Sequence, residues 1–313
     1  MPTNRRKFIQ QAALMGGALL TSKSLFAGNL LPIDNNEEKL VILHTNDVHS
    51  RLEPFPMDES KNAGLGGVAA RADLIRRIRS IEENVLLLDA GDIFQGTPYF
   101  NFYKGEPEIK AMSMMQYDAS TLGNHDFDGG MENFATQQKH ATFPFINCNY
   151  DFTNTPLEGK TIPYKIIQKG KIKVGILGVG VELHGLVPEK LYGNTKYLDP
   201  IQKANETAAL LHKKGCDMII CLSHLGDKYT DNKVSDEVLA QSCHDIDLII
   251  GGHTHRLFEK PRVYTNMKGN ETIVNQVGWA GMYLGRLDYN FSVGKNKKLQ
   301  HSHKVIVRGK TIE

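Results

Sequence analysis

Five times along this chain an apolar run stops at residues whose side chains bind protons or metal ions, and this repetition constrains the fold more than any other feature. Leu248-Ile249-Ile250 leads into Gly251-Gly252-His253-Thr254-His255. Alternation along an extended chain points His253 and His255 the same way, and two glycines leave backbone room for a ligand. Leu40-Val41-Ile42-Leu43 leads into Asn46-Asp47-Val48-His49, Val85-Leu86-Leu87-Leu88 into Asp89-Ala90-Gly91-Asp92, and Met218-Ile219-Ile220-Cys221 into Ser223-His224. A weaker run from Ala119 to Leu122 precedes Gly123-Asn124-His125-Asp126. Each run reads as a short buried strand. A single His-x-His on a loop is common, but five polar strand ends point to one shared site, because mixed sheets covered by helices place ligands outside strand ends.

The 313 residues, 41% of them hydrophobic, suit one large α/β domain or two small ones. Past the N-terminus no stretch stays apolar for the ~20 residues that cross a membrane, so no transmembrane anchor is expected. A net charge of +2 gives no nucleic-acid-binding surface. Four basic residues, Arg5, Arg6, Lys7 and Lys23, fall in the first 27, which hold no acid. With the apolar run from Ala12 to Leu20, residues 1–27 have the shape of a signal peptide processed near Ala27. They resemble a twin-arginine signal, read by a bacterial pathway that exports folded proteins, so the expected location is the periplasm. Export after folding suits a protein that acquires its metal first. Residues 28–39 read as a linker and 40–313 as one domain. Cys148, Cys216, Cys221 and Cys243 lack zinc-finger spacing and are expected as buried free thiols, with a disulfide left open if the protein is exported.

Within the domain, strand and helix signals alternate. Helices are expected from Val68 to about Ile81, near Glu106 to Tyr117, from Met131 to His140, from the Asp199 cap to Lys214, and over about Lys233 to Cys243. On the first of these, Arg71, Arg76, Arg77 and Arg79 read as a solvated face; on the second, Met112, Met114 and Met115 read as core. Phe143 to Cys148 reads as a strand, and Tyr164 to Gln168 with Ile172 to Leu177 as a β-hairpin. Beyond His255 only β patterns remain, at Thr272 to Val277, Tyr283 to Phe291 and Lys304 to Val307.

The strand ends together supply Asp47, His49, Asp92, Asn124, His224, His253 and His255. That set is too rich in imidazole for magnesium or calcium and lacks the thiolates of a structural zinc site. It suits one or two transition ions such as zinc, manganese or iron, with Asp92 the best candidate to bridge two. Two ions ~3.5–4 Å apart would hold a hydroxide and clamp phosphoryl oxygens during in-line attack. His125, beside Asn124, need not bind metal; it would either stabilise charge on a transferred phosphoryl or protonate the leaving oxygen, with Asp128 fixing its tautomer. His44, His184, His212 and His244 are scattered and read as structural or exposed.

Taken in order, Ile42-Leu43-His44-Thr45-Asn46-Asp47-Val48-His49-Ser50-Arg51, Leu86-Leu87-Leu88-Asp89-Ala90-Gly91-Asp92 with Gln95-Gly96-Thr97, Leu122-Gly123-Asn124-His125-Asp126-Phe127-Asp128, Ser223-His224 and Gly252-His253-Thr254-His255 resemble the calcineurin-like metallophosphoesterases, and within them the catalytic domain of 5'-nucleotidases. The resemblance runs from about Leu40 to Phe291. It implies a four-layer αββα sandwich of two mixed β-sheets and a site for two metal ions. One ion would take Asp47, His49, Asp92 and His255, the other Asp92, Asn124, His224 and His253, with His125 and Asp128 as the catalytic dyad. The chain departs from the 5'-nucleotidase pattern at His255, where many members carry Gln or Asn. It also stops at Glu313, where two-domain members continue into a domain that holds the nucleoside.

The function this implies is an exported phosphoesterase, acting on nucleotide monoesters by attack of a metal-bound hydroxide, with a separate chain as one possible source of the nucleoside-binding domain. A phosphodiesterase or nucleotide-sugar hydrolase is the alternative enzyme. A thiosulfohydrolase-like enzyme and a metal-binding subunit without turnover fit less well; His125 and Asp128 would have no purpose in the latter.

Overall fold

A computed structural model of the chain describes residues 37–292 and 297–308. The expected signal peptide and the linker up to residue 36 lie outside the described residues. The strands are β1 (Glu38–Thr45), β2 (Val85–Asp89), β3 (Ala119–Ser120), β4 (Tyr150–Asp151), β5 (Tyr164–Lys169), β6 (Ile172–Gly180), β7 (Lys196–Tyr197), β8 (Met218–His224), β9 (Leu248–Gly251), β10 (Arg262–Thr265), β11 (Glu271–Asn275), β12 (Tyr283–Phe291) and β13 (Lys297–Ile306). The helices are α1 (Val68–Arg79), α2 (Pro98–Tyr103), α3 (Glu106–Met114), α4 (Met131–Gln137), α5 (Glu189–Tyr192), α6 (Pro200–Lys213) and α7 (Asp236–Ser242).

Two mixed sheets form the centre. One has the order β13-β12-β1-β2-β3, with β1, β2 and β3 parallel and β12 and β13 antiparallel. The other has the order β10-β11-β9-β8-β6-β5, with β6, β8, β9 and β11 parallel and the edges antiparallel. Side-chain alternation then makes three cores. Leu40, Ile42, Leu86 and Leu88 of the first sheet meet Val174, Ile220, Leu222 and Ile250 of the second. On the outer face of the first sheet, Val41, Leu43 and Leu87 pack on Ile75 and Ile78 of α1, Ile109 and Met112 of α3 and Phe134 of α4. On the outer face of the second, Val179, Ile219, Cys221 and Ile249 pack on Ala204, Ala208 and Leu211 of α6 and Leu239 of α7. The result is the αββα sandwich. Both faces of the central strands are covered, which is why they read as unbroken apolar runs.

Several expectations hold and others are corrected. The hairpin forms as β5 and β6, and Asp199 caps α6 by accepting from the backbone N–H groups of Ile201 and Gln202. The described cysteines are free thiols; Cys221 and Cys243 are buried, whereas Cys148 and Cys216 are only partly so. β1 begins at Glu38, inside the expected linker, because its pairing with β12 extends to Phe291. Phe143 to Cys148 is not a strand; Phe145 and Ile146 make single bridges to Ser120 and Ile162, and Pro144 has no N–H to continue a ladder. β10 carried no signal we read. α7 starts at Asp236 rather than Lys233, since the Ser235 side chain caps it through the Val238 N–H. Met112 and Met115 are core, but Met114 is 85% exposed.

Arg71 is the largest correction. Arg76 and Arg77 are solvated and pair with Asp73, and Arg79 is half-buried, donating to the carbonyls of Met115 and Gln116. Arg71 is only 2% exposed. It lies one turn before Ile75 on the core face of α1, and its guanidinium fills the space a side chain at Gly281 would need.

Candidate active site

The five parallel strands that end in polar residues all deliver them to one edge of the two sheets. Asp47 and His49 follow β1, Asp92 follows β2, Asn124 follows β3, His224 ends β8, and His253 and His255 follow β9. The backbone turns sharply at these points. Asp47, His49, Asp92, His253 and His255 all have positive φ, at 51°, 50°, 57°, 71° and 54°. This left-handed conformation costs most residues about 1–2 kcal/mol, and Asp and His tolerate it better than others. Its clustering at one place is the mark of a site that surrounding structure holds in position.

Two groups of donors result: Asp47, His49 and His255, and Asp92, His224 and His253. His49 Nε2 lies 2.9 Å from His255 Nε2, and His255 Nε2 lies 3.4 Å from Asp47 Oδ1. In the second group His224 Nε2 is 3.1 Å from Asp92 Oδ2, and His253 Nδ1 is 2.8 Å from Asn124 Oδ1. Asp92 reaches both groups, with Oδ2 also 3.8 Å from His49 Nε2. All seven residues singled out in the sequence are therefore brought together.

Hydrogen bonds leave the right atoms free. His49 Nδ1 donates to the Phe94 carbonyl at 3.2 Å, and His224 Nδ1 to the Ala90 carbonyl at 2.7 Å. That leaves each Nε2 facing the carboxylates. His224 Nε2 is fully buried and faces the Asp92 carboxylate at 3.1 Å. An imidazole nitrogen held beside two buried carboxylates, where a bound cation can take the place of its proton, fits a transition-metal ion, whose His ligands have their other nitrogen fixed in this way. Gly252 and Gly123 make the approach possible: a Cβ at Gly252 would lie 2.8 Å from His224 Nδ1, and one at Gly123 would lie 2.1 Å from Asp92 Oδ1.

The electrostatics agree. Burial opposes charge on Asp92, yet the His224 imidazole with the rings of His49 and His125 holds its carboxyl well below the usual range. Burial likewise opposes charge on His224, and Asp92 and Asp47 overcome it, pushing His224 up to about 10. Burial dominates at His49, which is lowered, and at His253, pushed down to about 4. The pocket is one that attracts positive charge.

His125 opens a short 3₁₀ turn, His125–Phe127, and its ring sits 5.2 Å from that of His49. Its backbone N–H donates to Asp92 Oδ1 at 2.8 Å, tying it to the second group. Nδ1 lies 2.8 Å from Asp128 Oδ2, and this hydrogen bond raises the imidazole above its ordinary range against the effect of burial. With Nδ1 so engaged, Nε2 is the atom left to meet a substrate. Of the scattered histidines, His44 is fully buried, bonded to the Asn275 amide and pushed down to about 3 by burial; His184, His212 and His244 are exposed.

Residues outside the sequence motifs' expected roles hold these in place. The Asp126 carboxylate accepts from the backbone N–H groups of Asp92, Ile93, Phe94 and Gly123, joining the loops after β2 and β3. Burial and then Asp92 push Asp126 up to about 7, and the N–H donors favour its charged form. Asp126→Ala would strand these buried donors and is expected to cost on the order of 4 kcal/mol, read as a lower denaturant midpoint. An unchanged midpoint would mean that the carboxylate holds nothing. Asn46 bonds Asp47 Oδ2 at 2.6 Å and the Gly278 carbonyl at 2.7 Å. Trp279 stacks on His255, with centroids 5.6 Å apart and planes 5° from parallel, and Phe55 meets its edge with Arg51 over the phenyl ring. No local pattern links Trp279 to a histidine so far back in the chain.

Residues 40–257 match the profile of the calcineurin-like phosphoesterase family. A snake venom 5'-nucleotidase from Naja atra is 36% identical over 296 residues, which cover 88% of this chain and 54% of that protein. A 5'-nucleotidase precursor from Thermus thermophilus superposes with a TM-score of 0.78 at 32% identity, over 87% of this chain and 55% of the other. NAD nucleotidase from Haemophilus influenzae gives a TM-score of 0.76 at 26% identity, over 87% and 51%. The chain spans about half the length of the curated relatives it matches.

Proposed function

Because the chain belongs to the calcineurin-like phosphoesterase family, we propose that it hydrolyses phosphate monoesters of nucleotides in the manner of a 5'-nucleotidase. Two divalent transition ions, zinc, manganese or iron, held by Asp47, His49, Asp92 and His255 and by Asp92, Asn124, His224 and His253, would supply Lewis acidity and a nucleophile at neutral pH. The observation that carries the reading is the His125–Asp128 pair, 2.8 Å apart beside both donor groups, which a purely structural metal site would not need.

The remaining steps belong to the chain's own side chains. Asp128 holds the Nδ1 proton of His125, so that Nε2 presents its proton to the phosphoryl or leaving oxygen, and the raised affinity of the ring keeps that proton available near neutrality. The His125 N–H to Asp92 bond fixes where the ring stands relative to the donor groups. Asp126 and Asn46 keep the loops from relaxing when charge accumulates.

The test is phosphate release from AMP by the purified chain loaded with manganese or zinc. Rapid release would make the single domain self-sufficient. Slow release with good turnover of an aryl phosphate would call for nucleoside contacts from a separate chain, and turnover of neither would reject the reading. The likeness to NAD nucleotidase favours a second reading, cleavage of a phosphodiester or pyrophosphate, which a higher rate on an aryl diester than on the monoester would select. The basic-then-apolar order of residues 1–27 supports export to a bacterial periplasm through the twin-arginine pathway. Replacing Arg5 and Arg6 by lysine is expected to retain the protein in the cytoplasm.

A further inference from the structure

A cavity of about 270 Å³ opens at the same edge of the sheets, lined by Tyr150, Tyr192 and Tyr197 with Glu182, His184 and Thr195. Two independent connections place it against the site. Gly180, the last residue of β6, is the register neighbour of His224, and the chain runs from there directly into Glu182 and His184. The opposite wall rests on the segment that carries the dyad. Phe127, between His125 and Asp128, meets the Tyr150 ring edge-on at 5.9 Å, and Met131, three residues past Asp128, receives the Thr195 hydroxyl at 3.4 Å. The cavity thus adjoins the segment that carries the dyad.

Its chemistry is that of a neutral ring. Tyr192 and Tyr197 are partly exposed and form aromatic walls, Tyr150 is almost wholly buried, and Glu182 and His184, both exposed, offer acceptors for amino or hydroxyl groups. Among the described residues lining it, none is Lys or Arg, so it suits the uncharged end of a substrate rather than a second phosphate. Its volume lies just below the ~300–1,000 Å³ common for small-molecule sites, which limits its occupant to one small group. The tyrosines hold their places through local bonds: Tyr150 Oη donates to the Val181 carbonyl, and Tyr197 pairs with Tyr150 across β4 and β7.

We propose that this cavity binds the base and sugar of the leaving nucleoside, with the phosphate at the donor groups and His125 between them. It rests on the phosphomonoesterase reading above, and it places nucleoside recognition within this chain.

The experiment compares kcat/KM for AMP and for β-glycerophosphate, which has no ring, in the manganese-loaded full chain and its Tyr192→Ala, Tyr192→Phe and Glu182→Gln variants. Loss of a stacking partner should reduce the AMP to β-glycerophosphate ratio roughly 5- to 150-fold in Tyr192→Ala, with the ratio kept in Tyr192→Phe. Glu182→Gln, at an exposed position, should raise KM for AMP alone. An unchanged ratio in both Tyr192→Ala and Glu182→Gln overturns the cavity while leaving the phosphoesterase intact. If the parent chain cleaves neither ester, the activity reading fails. Equilibrium dialysis with adenosine then decides the cavity: binding lost in Tyr192→Ala supports it, and no binding to the parent chain overturns it.

Discussion

Replacing His125 by asparagine is expected to cut turnover by orders of magnitude while leaving metal binding in place. The side chain touches neither donor group as a ligand, and its backbone N–H to Asp92 survives the substitution. What is lost is the proton on Nε2 and the Asp128 partnership that holds it there. General acid–base groups contribute about 10²- to 10⁴-fold, so kcat on an aryl phosphate should fall by that amount. Metal binding has a convenient reporter: Trp279, the only tryptophan in the chain, stacks on His255, so loading manganese should quench its emission equally in parent and variant. Full activity in the variant would remove His125 from the mechanism.

Asp92→Asn should behave differently, losing metal and activity together. One Asp92 oxygen accepts from the His125 N–H and the other lies 3.1 Å from His224 and 3.8 Å from His49, so a single carboxylate serves both donor groups. Asparagine keeps the shape but removes the charge that draws a cation into the pocket. Loss of a residue that merely orients a ligand costs 10- to 100-fold in metal affinity, and loss of a bridging ligand should exceed about 100-fold. The quenching titration of Trp279 should shift accordingly, with kcat falling in step at fixed manganese. A titration that superimposes on that of the parent chain would mean Asp92 is not a ligand. The two variants together separate holding the metal from using it.

Much of this was legible in the chain itself, and the misreadings have physical causes. The central strands announced themselves because both faces are apolar, and α6 because Asp199 and Pro200 stand at its start. Arg71 carries a charge, which by itself points to solvent, but its spacing of four from Ile75 and seven from Ile78 places it on the buried face. Phe143 to Cys148 has the composition of a strand, but a segment that bridges Ser120 on one side and Ile162 on the other has no continuous partner. Asp126 was visible as an acid beside His125, yet its partners are backbone groups of two separate loops, which no residue pattern encodes.

The sequence alone determined the long central strands and the polar side chains that end them, because strand burial and ligand chemistry are local consequences of residue type. It put Asp47, His49, Asp92, Asn124, His224, His253 and His255 at those ends as candidate ligands, with His125 and Asp128 beside them. Only the tertiary structure decided that Asp92 spans both groups, that Trp279 backs His255, and that a tyrosine-lined cavity adjoins the dyad. His49 and His255 meet at 2.9 Å although 206 residues separate them. Such contacts follow from the order in which strands pair and from two sheets burying their apolar faces against each other, a collective balance that no local stretch of chain contains.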